Sequence, residues 1–385
     1  MDFGYTDSEQ QFRAETREFL ESEWPPEVQR AGRASDEEGE RFRRAAAEKG
    51  WFSLGLPEEY GGLPAFSQME RYIVSDETSR IGAPLPPYLV SIIGPLVIKH
   101  GTDWMKTEVL SKIGSGDMNF VLGFTEPETG SDLANLTTRA VRDGDEYVIN
   151  GAKMYGDPGP GDVMYLAVRT DPDAPLRQGI SVLFVEYGRE GFTATQMPTL
   201  AGATVGATFY DNVRVPVDHL LGEENKGWDY IREALDLDRT SGITYGQMPT
   251  RLAELVDYVK ASSLNGRPLV EDPWVRDRIA QFVIEIEAGE LLQGMTAAKI
   301  AAGIKLRMES SVVKIFLTEL ERRIGEFAME VSGPLASLTP ESEEAPSDGW
   351  FHYTQRNNPG ITIAGGSNEI QRNIVALQGL GLPRD

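Results

Sequence analysis

Along the first hundred residues, apolar positions recur at helical intervals. From Ser8 to Glu23, Phe12, Phe19 and Leu20 stand among Glu, Arg and Gln until Pro25-Pro26 ends the pattern. Arg41 to Lys49 predicts a second short helix closed by Gly50. Phe66 to Arg80 places Met69, Ile73 and Val74 on one face, and Ser91 to His100 resumes the helical reading after Pro84, Pro86 and Pro87. The period then shortens. Tyr147 to Gly151 ends in Asn150-Gly151, a hairpin-turn signal, and β-rich runs follow at Met164 to Arg169, Ile180 to Tyr187 and Ala207 to Val215, before Pro216. Short strands with no helix between them predict a compact antiparallel sheet or barrel. After Gly227 the helical period returns: Leu252, Leu255, Val256 and Val259 form one stripe, and Asp272-Pro273 supplies a cap and a first-turn proline for a helix carrying Val275, Ile279, Phe282, Val283 and Ile286. A longer stripe from Val312 through Phe316, Leu320, Ile324, Phe327 and Val331 stops at Gly333-Pro334. Pro340 to Asp348 reads as an exposed acidic loop, and a last helix runs from about Asn368 to Leu377.

The expected fold is therefore α+β and mainly α. An N-terminal helical domain spans 1–118, a middle antiparallel β-barrel domain 119–225, and a C-terminal four-helix bundle 226–385. At 385 residues and 40% hydrophobic content, the chain is long enough to bury the cores of two or three cooperating domains. With 37 Lys+Arg against 60 Asp+Glu, the formal charge of −23 repels a nucleic-acid backbone, so no nucleic-acid partner is expected. The charge does not exclude a small anionic ligand, which needs only one local pocket. The chain has no cysteine and three histidines, His100, His219 and His352, too scattered for a metal site. The N-terminus lacks the basic start and apolar run of a signal peptide, and no apolar stretch reaches membrane-spanning length; a cytoplasmic protein without a membrane partner is expected.

Several motifs stand at telling places: Pro57-Glu-Glu-Tyr-Gly-Gly62, Gly123-Phe-Thr-Glu-Pro-Glu-Thr-Gly-Ser-Asp132, Asn150-Gly-Ala-Lys153, Phe209-Tyr-Asp-Asn-Val-Arg-Val-Pro216, Leu235-Asp-Leu-Asp-Arg239 and Gly365-Gly-Ser-Asn-Glu-Ile-Gln-Arg-Asn373. Along nearly the whole chain they resemble the acyl-CoA dehydrogenase family. The resemblance implies FAD as cofactor, an acyl-CoA or acyl-carrier thioester as substrate, an electron-transfer protein as redox partner, and a dimer or dimer of dimers, such as a homotetramer, of one chain type or two. It further implies that Thr125 meets the flavin ring, that Ser131 meets the phosphate or pantetheine region, and that Phe124, Tyr155, Gly156 and Asp157 lie along the flavin. Ser367 and Glu369 resemble positions near the adenine of a neighbouring FAD, and Asp236 one that contacts the pantetheine arm.

Removing a proton α to a thioester carbonyl needs a carboxylate base, and the family uses two positions for it. One lies just before the final helix, where this chain reads Ala364-Gly365-Gly366, so Gly365 and Gly366 border the substrate without supplying a base. The other precedes an arginine on the first bundle helix, where Asp238 stands before Arg239. Asp238 is the candidate base and Arg239 its catalytic and substrate-binding neighbour; the competing reading is a solvated helix carboxylate or a salt-bridge partner of Arg239. Two further departures matter. Asp157 brings a carboxylate toward the flavin, and Ser262-Ser-Leu-Asn-Gly266 lacks the arginine with which the family reaches a neighbouring pyrophosphate, which weakens FAD retention unless Arg267 or another chain compensates. Three readings follow: an FAD-dependent dehydrogenase using Asp238; a same-fold enzyme with altered chemistry, such as a flavin-dependent oxygenase or a flavin-independent catalyst; and a non-catalytic subunit completing a hetero-oligomeric dehydrogenase.

Overall fold

The computed structural model describes residues 5–25, 36–53, 56–60, 67–84, 88–156, 158–159, 162–202, 204–241, 245–264 and 266–383, with the side chains of 36, 68, 88–91 and 238–241 outside the described set. The chain packs as two compact units. One comprises Met1–Phe42, Ser67–Leu85 and Arg239–Asp385, the other Arg43–Phe66 and Pro86–Asp238. The N-terminal helices are thus divided between them.

In the first unit, α1 (Asp7–Glu23) starts one residue earlier than the apolar spacing predicts, because Thr6 and Glu9 close a capping box around its first turn. The helix packs on α3 (Gln68–Arg80), where Glu77 receives Arg13 and, at 2.7 Å, Arg17. Helix α2 (Asp36–Glu48) extends well ahead of the predicted Arg41 start. The bundle proper contains α7 (Gln247–Ala261), α8 (Pro273–Ala301), α9 (Glu309–Ser332) and α10 (Trp350–Ile361). Asp272 caps α8 by accepting from the Trp274 amide at 2.9 Å, as its place before a proline predicts. The α7 stripe of Leu252, Leu255 and Val259 is buried against Phe282 of α8, Leu320 and Phe327 of α9, and Phe351 of α10. Helix α9 stops where predicted, at Gly333 with φ 55°. The periodicity did not predict α10, whose Pro359-Gly360 pair argues against a helix. The buried positions Phe351, Thr354 and Asn358 hold it on one face.

The second unit is built on α4 (Tyr88–His100), α5 (Leu110–Gly114) and a sheet. Its strands are β1 (Asn119–Gly123), β2 (Arg139–Asp143), β3 (Glu146–Met154), β4 (Asp162–Arg169), β5 (Ile180–Glu186), β6 (Phe192–Pro198) and β7 (Thr204–Pro216). Their order is β1-β4-β2-β3-β7-β6, with β5 also on β4. The hairpins are antiparallel as expected, but β1 runs parallel to β4, so the sheet is mixed. Central β4 is buried on both faces. Val163, Tyr165 and Ala167 pack with Ile92, Ile93, Leu96 and Val97 of α4, while Met164, Leu166 and Val168 pack with Ile149, Tyr210 and Val213.

The Asn150-Gly151 pair is not a hairpin turn. Strand β3 runs straight through it, and the turn into β3 lies at Gly144 instead. The pair faces a bulge in β7: Ile149 pairs with Val213 and Gly151 with Tyr210, so β7 carries one extra residue at Asp211-Asn212. Asn150 accepts from the Asn212 amide at 3.0 Å, satisfying the bulged backbone. Gly151 is needed because a Cβ there would stand 2.7 Å from the Thr138 Cα.

Candidate functional site

The residues singled out in the sequence fall into separate groups, each positioned by its own elements. The first gathers where β1 and β3 end. Beyond Gly123 the chain leaves β1 as a loop. The Thr125 carbonyl accepts from the Met154 amide at 2.8 Å, which brings Thr125 beside the end of β3. One residue beyond β3, Tyr155 adopts φ 71° and donates its amide to the Gly206 carbonyl at 2.6 Å. This left-handed turn swings the ring outward, leaving it 66% exposed. Gly156 follows, where a Cβ would press on Val121 at 2.9 Å. Phe124 turns the other way, into the core, edge-on to Tyr165 at 5.6 Å. Thr125 is half-buried and Ser131 exposed, while the buried Thr129 hydroxyl finds no hydrogen-bond partner among the described residues. Asp157 lies outside the described residues.

Two residues of this loop region received no role in the sequence reading, and they hold it together. Glu126 accepts from the Thr137 amide (2.7 Å), the Thr137 hydroxyl (2.8 Å), the Thr138 amide (2.8 Å) and Lys153 Nζ (2.9 Å). Lys153 also donates to the Phe124 carbonyl at 3.2 Å. Both side chains are almost wholly buried, at 3% and 1% exposure. Burial pushes the Glu126 carboxyl up, but the adjacent ammonium and the bonds from Thr138 and Thr137 outweigh it and hold the group at about 2. Burial lowers Lys153 to about 8, against the opposing pull of Glu126. The strand period carries the missed signal: on β3, Lys153 shares its parity with buried Tyr147 and Ile149, so a lysine there must point inward and find an anion.

Helix α6 (Gly227–Ser241) carries the second group. Tyr230, Ile231 and Ala234 join the α4 core, and Glu233 is bonded by Lys99 at 2.9 Å and lies 3.1 Å from His100 Nε2. Burial raises the Glu233 carboxyl, and Lys99 and His100 together bring it below its ordinary value. These anchors set the helix that presents Asp236, exposed, and then Asp238 and Arg239, whose side chains lie outside the described residues.

The third group belongs to the bundle unit. Gly365 and Gly366 take φ 65° and 88°, a left-handed turn that glycine enters freely. Ser367 then caps α11 (Asn368–Ile374) by accepting from the Ile370 amide at 3.3 Å. Glu369 is exposed, and its own backbone amide and the Ser367 hydroxyl hold its carboxyl below the ordinary value. The turn is tied to α9 from beneath. Buried Lys314 donates to the Thr362 carbonyl (2.9 Å) and Asn368 Oδ1 (2.7 Å). Gln371 donates to the carbonyls of Gly365 and Gly366, at 3.2 Å each, and accepts from Ser311 at 2.7 Å.

The first group suits a flavin. It offers an outward aromatic face at Tyr155, a half-buried hydroxyl at Thr125 and an unpartnered buried hydroxyl at Thr129. Among the described residues there is no cluster of metal-binding side chains, and no helix is long and apolar enough to cross a membrane.

Family models described as acyl-CoA dehydrogenase N-terminal, middle and C-terminal domains match residues 6–117, 121–213 and 225–380. Acyl-CoA dehydrogenase FadE26 of Mycobacterium tuberculosis is 35% identical, over 100% of this chain and 99% of its own. The ChsE4-ChsE5 complex of Mycobacterium tuberculosis superposes with a TM-score of 0.89 at 35% identity, covering 100% of both chains. A structure described as the Tcur3481-Tcur3483 steroid ACAD gives a TM-score of 0.89 at 35% identity, again over 100% of both chains.

Proposed function

The chain belongs to the acyl-CoA dehydrogenase family, and from that premise we propose that it binds FAD and takes part in α,β-dehydrogenation of an acyl-CoA thioester. The observation that carries the reading is the arrangement where β1 and β3 end: Thr125 is bonded to Met154, and Tyr155 is turned out of the core beside it. When bound, the flavin supplies the hydride acceptor of the reaction. The chain supplies the rest. Thr125 and Tyr155 hold the ring, Ser131 and Asp236 the polar arm of the thioester, and Ser367 and Glu369 the adenosine end of a flavin in another subunit. Asp238 accepts the α-proton at its carboxylate, with Arg239 beside it in sequence on the same helix. An aspartate reaches one methylene less far than a glutamate. A misplacement of about 1 Å costs on the order of a hundredfold, so the substrate must sit closer to α6 than a glutamate would require.

We further infer an assembly of two chain types, dimeric or a dimer of dimers, over a homotetramer. Two of the similar structures are described by paired names, and this chain has glycine at one base position and no arginine in Ser262–Gly266. Arg267 lies on a small hairpin of Ser263–Leu264 with Arg267–Pro268, its side chain exposed and one nitrogen on the Glu271 carbonyl at 3.2 Å. A steroid acyl-CoA is the first thioester to test, since one similar structure is described as a steroid ACAD, and an electron-transfer protein is the fitting oxidant.

The test is anaerobic flavin bleaching by acyl-CoA thioesters, with and without a co-expressed partner chain. Asp238→Asn is expected to retain FAD absorbance and lose bleaching by about a hundredfold or more. If that variant bleaches as fast as wild type, Asp238 is not the base. A protein that takes up no FAD in either setting sinks the flavin reading.

A further inference from the structure

We propose that Glu126 and Lys153 are positioning residues whose buried ion pair clamps the Thr125–Ser131 loop in its ligand-ready form. The clamp rests on the flavin reading for its purpose but on geometry for its existence. Glu126 accepts from the amides of both Thr137 and Thr138, so one carboxylate closes an eleven-to-twelve-residue excursion that contains Ser131. The start of this excursion is tightened by reciprocal backbone bonds between Glu126 and Thr129, at 2.8 and 3.2 Å. Lys153 grips the other side through the Phe124 carbonyl and the Glu126 carboxylate, while its neighbour Met154 bonds Thr125. Thr125 is therefore held on both flanks by consecutive residues of β3.

The glycine two positions earlier completes the device. A side chain at 151 would strike the Thr138 backbone, so only glycine lets Thr138 come close enough to bond Glu126 while its hydroxyl donates to the Ala152 carbonyl at 3.2 Å. Thr138 is then tied back into the sheet, its carbonyl accepting from the Arg169 amide at 2.7 Å. Arg169 adds a further charge that Glu126 feels, its guanidinium donating to the carbonyls of Ala134 (2.6 Å), Gln178 (2.7 Å) and Leu176 (3.1 Å). The short sequence Asn150-Gly151-Ala152-Lys153 thus provides room for the clamp and half of its charge.

Hydrogen exchange on flavin-free protein tests the clamp apart from its ligand. In Glu126→Gln, the amides of Thr137, Thr138 and Met154 are expected to exchange about tenfold or more faster than in wild type, because neutral acceptors hold more weakly than charged ones. Strands β4 and β5 should stay within about twofold, and reconstituted FAD should dissociate about tenfold faster. If β4 and β5 lose protection by the same factor as the loop, the pair merely stabilises the sheet and the proposal is overturned. Should Glu126→Gln not fold, wild type decides. Thr137 and Thr138 amides exchanging on the order of a hundredfold faster than β5 would show the clamp open, and would overturn it. A wild type that protects the loop but binds no FAD refutes the flavin reading and leaves the clamp standing.

Discussion

Two loops of this protein are each tied down by a lysine that is 1% exposed, and the chemistry of the two ties differs. On the sheet side, Lys153 meets a carboxylate, and Glu126 gathers three further donors, so the loop depends on one group being ionised. On the bundle side, Lys314 meets the Thr362 carbonyl and the Asn368 amide oxygen, and the turn itself is gripped by Gln371. Those acceptors do not titrate. The first arrangement concentrates strength in one buried charge and is exposed to its loss; the second rests mainly on dipoles, with carboxylates only outside its buried core, where Asn368 also donates to Glu319 at 3.3 Å and Ser367 bonds the exposed Glu369.

Acid should separate the two most strongly. The Glu126 carboxyl sits at about 2 in the folded protein, below its ordinary 4.5, so its contribution is present above about pH 4.5 and lost as pH falls toward 2. That contribution is at most about 3 kcal/mol. Between pH 5 and 3, exchange protection at Thr137 and Thr138 should fall by clearly more than that at residues 363–371, where the carboxylates of Glu369 and Glu319 are not buried. Equal loss at both loops would remove the distinction. Mutation of the other lysine comes next. Lys314→Met removes one donor from the Thr362 carbonyl and one from Asn368 Oδ1, which keep the Asn368 amide at 2.9 Å and the Thr318 hydroxyl at 3.3 Å, and should cost about 1–2 kcal/mol in denaturant unfolding. A cost under about 0.5 kcal/mol would mean that the Asn368 amide, the Thr318 hydroxyl and Gln371 hold the turn without the lysine. The smallest effect has the opposite sign. Glu321 stands on α9 with Lys314, and burial raises its carboxyl to about 7, with Arg251 opposing. A carboxyl raised in the folded state favours folding below its ordinary value and loses that advantage as pH rises through 7. Glu321→Gln should therefore stabilise the protein by about 1–2 kcal/mol at pH 8, and the gain should fade toward pH 5. No gain at pH 8 would show that this carboxylate has found a partner the bundle side otherwise lacks need of.

Much of the fold was legible because it is written in local spacing. The Asp272 cap, the α7 stripe and the stop at Gly333 depend on residues within a few positions of one another, and the structure repeats each of them. The site was legible only as motifs. Thr125, Tyr155, Asp238 and Gly365 were named because their surrounding sequence resembled a family, not because any spacing showed their chemistry. Where a local signal competed with a distant partner, the partner won. Asn150-Gly151 reads as a turn, yet it lies within β3 because the β7 bulge supplies a backbone for Asn150 to satisfy. No helix was expected over 350–361, yet α10 spans it, with Phe351, Thr354 and Asn358 buried along one face.

By itself, the sequence determined most of the helices, several of the strands and their order, while the strand parity that turns Lys153 inward became visible only once β3 was seen to run through Asn150-Gly151. Only the tertiary structure decided what that lysine meets. Lys153 and Glu126 are 27 residues apart, and Lys314 and Asn368 are 54 apart, and no periodicity links positions so separated. Helix and strand patterns arise from the repeat of a single backbone, which sets the direction of each side chain. The partner of a buried charge is set by which two segments share the same small volume, and by the cost of leaving either group there alone.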